Sequence, residues 1–247
     1  MSKFIEIIKS DFKYYLKFGI LQTVVILSLL FAGIMAFFPN FDALIIIYIT
    51  VFILPVIIFS ISFFLESEEK SLVPLATCEC PSMVPILAKL TSALLLLMIP
   101  FVLDIFVMAL VLNTHFNILL FFLVYLLAAV MHVVVGTVLA IISKSTSIMS
   151  VSYIAYIVIF SLIPIFYARN LIPTALQYVM VISPAYLSGI LFQEIYYGYA
   201  YSPIWLIVLA IALQLVYVSA MTYFVIRPYF KSYLILTIQN EGIKKGK

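Results

Sequence analysis

Apolar runs of spanning length constrain this chain more than any other feature of its sequence. A helix needs about 20 consecutive apolar residues to cross the hydrocarbon core of a bilayer. Six such stretches are present, at about 18–38, 43–65, 90–112, 118–142, 148–167 and 204–226. They are continuous rather than alternating, which selects helices whose backbone bonds are satisfied internally. Of 247 residues, 66% are hydrophobic and 9% are charged, too few ionisable side chains to cover a soluble surface. The expectation is an all-α polytopic membrane protein, a single transmembrane domain over 1–247 that crosses the cell membrane repeatedly and has the lipid bilayer as its solvent. Six crossings take about half of the chain and leave no stretch for a second, soluble domain. The first run is of spanning length and lacks a small-residue cleavage site, so it reads as a span and not as a signal peptide.

Polar punctuation separates the spans: Pro39-Asn40 with Asp42, then Glu66, Glu68 and Glu69, then Asn113-Thr114-His115, then Ser143 to Ser147. The basic residues give the sides. Of 13 Lys and Arg, all but Arg169 fall on one side of a six-span topology: Lys3, Lys9, Lys13, Lys17, Lys70, Lys89, Lys144, Arg227, Lys231, Lys244, Lys245 and Lys247. Cytoplasmic loops retain such residues. Both termini are therefore expected in the cytoplasm.

Three segments do not span. Residues 1–17 carry Met1, Phe4, Ile5, Ile8, Phe12 and Tyr15 at helical spacing, with Lys3, Glu6, Lys9, Lys13 and Lys17 elsewhere, the pattern of an amphipathic helix in the membrane interface. Residues 66–89 form a cytoplasmic loop of about 24 residues, longer than an ordinary connection. Residues 169–203 hold Pro173, Pro184, Glu194 and Pro203. They are too apolar for a solvated loop and too broken for a span, and read as a re-entrant or interfacial helical pair, with Tyr196, Tyr197, Tyr199 and Tyr201 at headgroup level.

The chemistry that is missing narrows the function. The chain has no G-x-x-x-x-G-K-[ST] phosphate cradle, no H-E-x-x-H and no G-x-S-x-G. It reads as neither an enzyme nor a nucleotide binder, with no cofactor of its own and no nucleic-acid partner. Cys78 and Cys80, the only cysteines, suit neither a structural zinc site nor an easy disulfide, and no metal site is expected. Pro55, Pro100 and Pro164 interrupt spans two, three and five and are expected to kink them. Asp104 in span three and His132 in span four are the conspicuous polar residues inside apolar runs. At about 1.5 Å per residue, they lie within roughly one turn of each other in depth and could hydrogen-bond. They would act either as a lining of a substrate path or as an interhelical clamp.

The loop after span two reads ESEEKSLVPLATCECPSMVPILAKL. It resembles the cytoplasmic loop of permeases of type-2 ABC exporters, in which an acidic residue precedes a small residue and a leucine, a second leucine follows, and a lysine opens the next span. Glu68, Ser71, Leu72, Leu75 and Lys89 fall on that pattern. Lys70 stands where the family has glycine, and Glu79 where it has proline. The plan of an entry helix, six spans and a re-entrant pair is similar too, and Ser183-Pro184-Ala185-Tyr186 looks like the family's Pro-x-Tyr element, the re-entrant residues singled out being Pro184, Tyr186 and Glu194. The resemblance implies a small bacterial drug or peptide exporter, the fluoroquinolone-export type among them. It further implies a coupling contact through Glu68, Glu69, Ser71, Leu72 and Leu75 with a separate ABC ATPase subunit. That partner would bring ATP and Mg, and a second copy or a related permease would complete the membrane domain. The alternative is a membrane-embedded peptide-binding or immunity protein without transport.

Overall fold

The computed structural model describes residues 2–38, 42–69, 83–168, 171–198, 202–229 and 232. Every regular element among them is helical, and six helices are long and apolar enough to cross a membrane. The all-α polytopic architecture read from the sequence is the one found. In chain order the helices are α1 (Ser2–Lys17), α2 (Ile20–Phe37), α3 (Ala43–Glu68), α4 (Met83–Leu110), α5 (Ile118–Ile142), α6 (Thr146–Phe166), α7 (Gln177–Met180), α8 (Pro184–Tyr197) and α9 (Ile204–Tyr229).

The polar punctuation becomes caps and joints. Asp42 accepts the Leu44 N–H at 2.9 Å, Asn117 accepts that of Leu120 at 3.1 Å, and Ser145 accepts that of Ile148 at 3.3 Å. These contacts start α3, α5 and α6, each worth about 1 kcal/mol. Gly19, at φ 71°, turns the chain from α1 into α2, a left-handed conformation that only glycine adopts without penalty. Two spans run past their apolar limits. Helix α3 continues through Glu66 and Glu68, and α4 begins at Met83, because Glu, Ala and Lys are good helix formers once a helix is under way. The connection expected over 66–89 is thereby shortened. Residues 70–82, with Ser71, Leu72 and Leu75, lie outside the described residues.

Three spans contain a widened π turn, at Ile49–Ile53, Ile157–Leu162 and Thr222–Ile226. Each ends two residues before a proline, Pro55, Pro164 and Pro228 respectively. The cause is local. Proline has no N–H to donate and its ring clashes with the carbonyl four residues back, here Val51, Phe160 and Phe224, all within the π turns. Opening the turn relieves that clash without ending the helix. The carbonyl of Phe160 then accepts the Ser183 hydroxyl at 2.6 Å, so a polar side chain satisfies a backbone group exposed by proline, as lipid demands. Pro100 lies inside α4 with no π turn beside it.

Helix α3, with 72% of its apolar window buried, is the centre of the bundle, while α6 and α9, at 22% and 17%, are its rim. Helices α3 and α5 approach closely. The Ser60 hydroxyl donates to the Gly136 carbonyl at 3.0 Å, and a Cβ on Gly136 would stand 3.0 Å from the Val56 oxygen. Small residues at a crossing permit such backbone contact. Where a re-entrant or interfacial helical pair was expected, the chain forms the single turn α7 and the longer α8, joined through residues 181–183. In α8 every residue except Gln193, Tyr196 and Tyr197 is buried, against α3, α5, α6 and α9. Tyr48 of α3 occupies the space that a Cβ on Gly189 would take. Tyr199 and Tyr201 lie outside the described residues.

Helix α1 differs from its helical-wheel reading. Its buried stripe is Ile7, Asp11 and Tyr15, and Ile5 is exposed. It packs on α2 and α4, so its register is set by protein contacts, and a carboxylate sits at the middle of the buried face.

Candidate functional site

That carboxylate is part of an ion cluster at the basic end of the bundle. Lys89, one and a half turns into α4, reaches Asp11 Oδ1 at 3.0 Å and also pairs with Glu66, near the end of α3. The Ser92 hydroxyl donates to Asp11 Oδ2 at 2.8 Å and lies 2.9 Å from the Ala88 carbonyl. Asp11 and Glu66 are each 4% exposed. Two carboxylates against one ammonium leave the ionised cluster net negative. The neighbouring tyrosines register this: burial first, then Asp11 and Glu66, push the Tyr15 hydroxyl well above its usual range, and burial with Glu66 and Glu69 raises Tyr14. Beside the cluster is a cavity of about 30 Å³, bounded by Tyr15, Phe59, Ser62, Glu66 and Lys89, room for one or two waters. The cluster ties α1 to the two helix ends, Glu66 and Lys89, between which the 70–82 segment is strung.

Deeper in the bundle, the π turn of α3 presents Thr50 to α4 and Phe52 to α5. Thr50 Oγ1 is 2.8 Å from Asp104 Oδ2 and 3.2 Å from the Ile47 carbonyl. Phe52 stacks on His132, with ring centroids 4.7 Å apart and planes inclined by 20°. His132 Nδ1 meets the Ala128 carbonyl of its own helix at 2.7 Å, and the Tyr156 ring stands edge-on to it at 6.3 Å. Asp104 and His132 thus converge on neighbouring residues of one turn, as their depths suggest, but they do not hydrogen-bond to each other. Asp104 Oδ1 and His132 Nε2 have no hydrogen-bond partner among the described residues. Tyr125 donates to the Leu97 carbonyl at 2.7 Å, closing α4 against α5 at the same level of the core.

At the opposite end, α8 is fastened to α9. Ser188 donates to Gln214 Oε1 at 2.8 Å, and Glu194 Oε2 accepts the Ser202 N–H at 2.9 Å. Ser183 caps α8 through the Tyr186 N–H at 3.1 Å, with Pro184 at the first helical position. Pro184 and Tyr186 are therefore in place as a helix start, buried. Of the proposed coupling residues, Glu68 and Glu69 end α3, and the other three lie outside the described residues.

Asp11, Thr50, Ser92 and Gln214 were not singled out by the sequence reading. For Asp11 a signal existed, an acid between Ile7 and Tyr15 at i, i+4 spacing. Thr50 and Gln214 look like single polar residues in apolar runs, of which there are many. Among the described residues, no group of His, Cys, Asp and Glu is arranged to hold a metal ion.

The fold and these buried polar contacts define the class: a multi-pass α-helical membrane protein. Compared with known families, curated proteins and solved structures, the chain matches none.

Proposed function

We propose that this chain is the membrane-spanning permease subunit of an ATP-driven exporter of the type-2 ABC kind, working with a separate ATPase and a second permease, with its basic end in the cytoplasm. The observation that carries the reading is the Asp11–Lys89–Glu66 cluster. A loop that receives force from an ATPase must hand it to the spans, and here both of its roots are ion-paired, through one lysine, to each other and to the entry helix. A displacement of the 70–82 segment would then move α1, α3 and α4 together. The basic end, with Lys89 and Lys144, is the cytoplasmic one by the charge rule. Pairing of an ATPase with the 70–82 segment would rest on Leu72 and Leu75 as a small apolar anchor, ringed by Glu68, Glu69 and Lys70.

The test is Leu75→Asp, which places a charge in that anchor. Loss of a central anchor costs about 2 kcal/mol or more of binding, roughly 30-fold. The variant should insert and melt like the parent, yet lose both co-purification of an ATPase and substrate export. Normal export and normal ATPase association in the variant would remove the coupling assignment. A chain that recovers no ATPase from its native membrane even as wild type would favour the non-transporting binding protein instead.

A further inference from the structure

Helices α4 and α9 both pack on α5 and leave between them an open groove of about 950 Å³. Its apolar wall is Leu87, Leu90 and Leu94 from α4, Val130 from α5, and Leu215 and Phe224 from α9. Along α4 it extends from Met83 to Leu94, a rise of about 16 Å at about 1.5 Å per residue. That is about half of a hydrocarbon core roughly 30 Å thick. The groove is therefore one leaflet deep, and it starts at the basic end of the bundle. A cation stands at that end. The Arg227 guanidinium carbon lies 5.2 Å from the centre of the Tyr223 ring, and Tyr223 lines the groove. The ion pairs among the described residues both belong to Lys89, so Arg227 has no counter-ion there. Its Nε is buried without a hydrogen-bond partner among those residues, as is Oγ1 of the groove-lining Thr222. Donors left unanswered beside lipid are costly. A phosphate supplies the acceptor that a guanidinium matches best.

We propose that this groove seats one acyl chain of a phospholipid with a net negative headgroup, the chain against Leu87, Leu90, Val130 and Leu215 and the phosphate at Arg227. Charge complementarity selects the headgroup. No carboxylate is among the residues that line the groove, so the ammonium of a zwitterionic lipid would find no acceptor there and would bring a second cation towards Arg227. Basic pockets between spans on the cytoplasmic side recognise anionic lipids in this way. The assignment needs no ATPase, and it stands apart from the transport reading.

The test titrates the purified full chain, in a non-ionic detergent, with dioleoyl phosphatidylglycerol and reads the melting temperature. Dioleoyl phosphatidylcholine presents the same chains under a headgroup without net charge. The anionic lipid should raise the melting temperature saturably, and the zwitterionic one should need at least about tenfold more, as loss of a charge-assisted contact implies. Dihexanoyl phosphatidylglycerol has the headgroup without a chain that fills the groove, and neither it nor inorganic phosphate should give a saturable rise. Arg227→Gln removes the charge and should erase the difference between the two long-chain lipids. Ala220→Trp fills the groove with Arg227 intact and should weaken the anionic lipid similarly, a control that stands if Arg227→Gln melts early. Equal midpoints for the two long-chain lipids, an equal rise with the short-chain lipid or with phosphate, or unchanged affinity in a folded variant overturns the proposal. A chain that purifies as a dimer and melts without regard to lipid also overturns it, and gives the groove to a second copy.

Discussion

Lys89→Met is the sharpest test of the ion cluster. The substitution keeps an unbranched side chain of similar length, so packing against Ile86 and Leu90 changes little, and what is lost is one ammonium. Asp11 and Glu66, each 4% exposed, are then left as two like charges without a cation between them. Breaking a buried pair by removing one partner costs about 3–5 kcal/mol, because a charge is stranded in a poor solvent. At roughly 2–4 °C per kcal/mol for a chain of this size, the melting temperature in detergent should fall by about 6–20 °C. Protonation neutralises the stranded carboxylates, so the stability of Lys89→Met should rise more steeply than the parent's as the pH falls. The triple variant Asp11→Asn, Glu66→Gln, Lys89→Met removes all three charges and should recover much of the loss, as uncharged replacements of buried ion networks do. A single variant that melts within about 2 °C of the parent at neutral pH, with the parent's pH slope, would show that the cluster contributes nothing and that the three helix ends are held by apolar packing alone.

Gly189→Ala should destabilise by about 1–3 kcal/mol, as overpacking does, because Tyr48 fills the space the methyl needs. Shortening that ring with Tyr48→Leu should restore part of the loss in the double variant, and additive losses in a double-mutant cycle would refute the contact. Asp104→Asn should melt close to the parent, since a carboxamide can still bond Thr50, whereas Thr50→Val strands Asp104 Oδ2 and should cost about 1–3 kcal/mol. If Asn proves as damaging as Val, the negative charge of Asp104 is what the bundle needs, and the clamp reading of that residue fails.

The spans were legible because the hydrocarbon core imposes one length and one composition on every crossing, and the caps at Asp42 and Ser145 were legible as polar punctuation, whereas the cap of α5 is Asn117 and not the Asn113-Thr114-His115 turn before it. Helix ends were less so. Hydropathy marks where lipid stops, but a helix continues until its backbone finds another partner, which is why α4 begins at Met83 and not at the apolar run from about 90. Pro55, Pro100 and Pro164 were expected to kink their spans, yet the π turns before Pro55, Pro164 and Pro228 were not read, although the clash with the carbonyl four residues back is local and repeats at all three. Which way Asp104 and His132 face depends on the rotation of α4 and α5 about their axes. Continuous apolar runs carry no period to fix that rotation, so the hydrogen bond between them was an open expectation that the packing did not fulfil.

The same indeterminacy explains why the site at the basic end depends on charges rather than on shape. An apolar helix face packed on other apolar faces slides and rotates at little cost, since lipid and protein offer similar contacts. A lysine held between Asp11 and Glu66 permits one register of α1 against α3 and α4, because any slip strands charge. Helix α1 has a wet side carrying Lys9, Lys13 and Lys17, so propensity and amphipathicity hold it at the interface but leave its rotation free. Asp11 removes that freedom and ties α1 to both roots of the 70–82 segment. Reversing the pair tests this docking separately from the stability of the cluster. Asp11→Lys with Lys89→Asp exchanges the two charges and keeps the cluster net negative, so it should fold with α1 docked, whereas Asp11→Lys alone sets two cations face to face and should undock it. Limited proteolysis near Gly19 reads the difference: protection in the single variant equal to that in the parent would mean that α1 is held by Ile7 and Tyr15 alone.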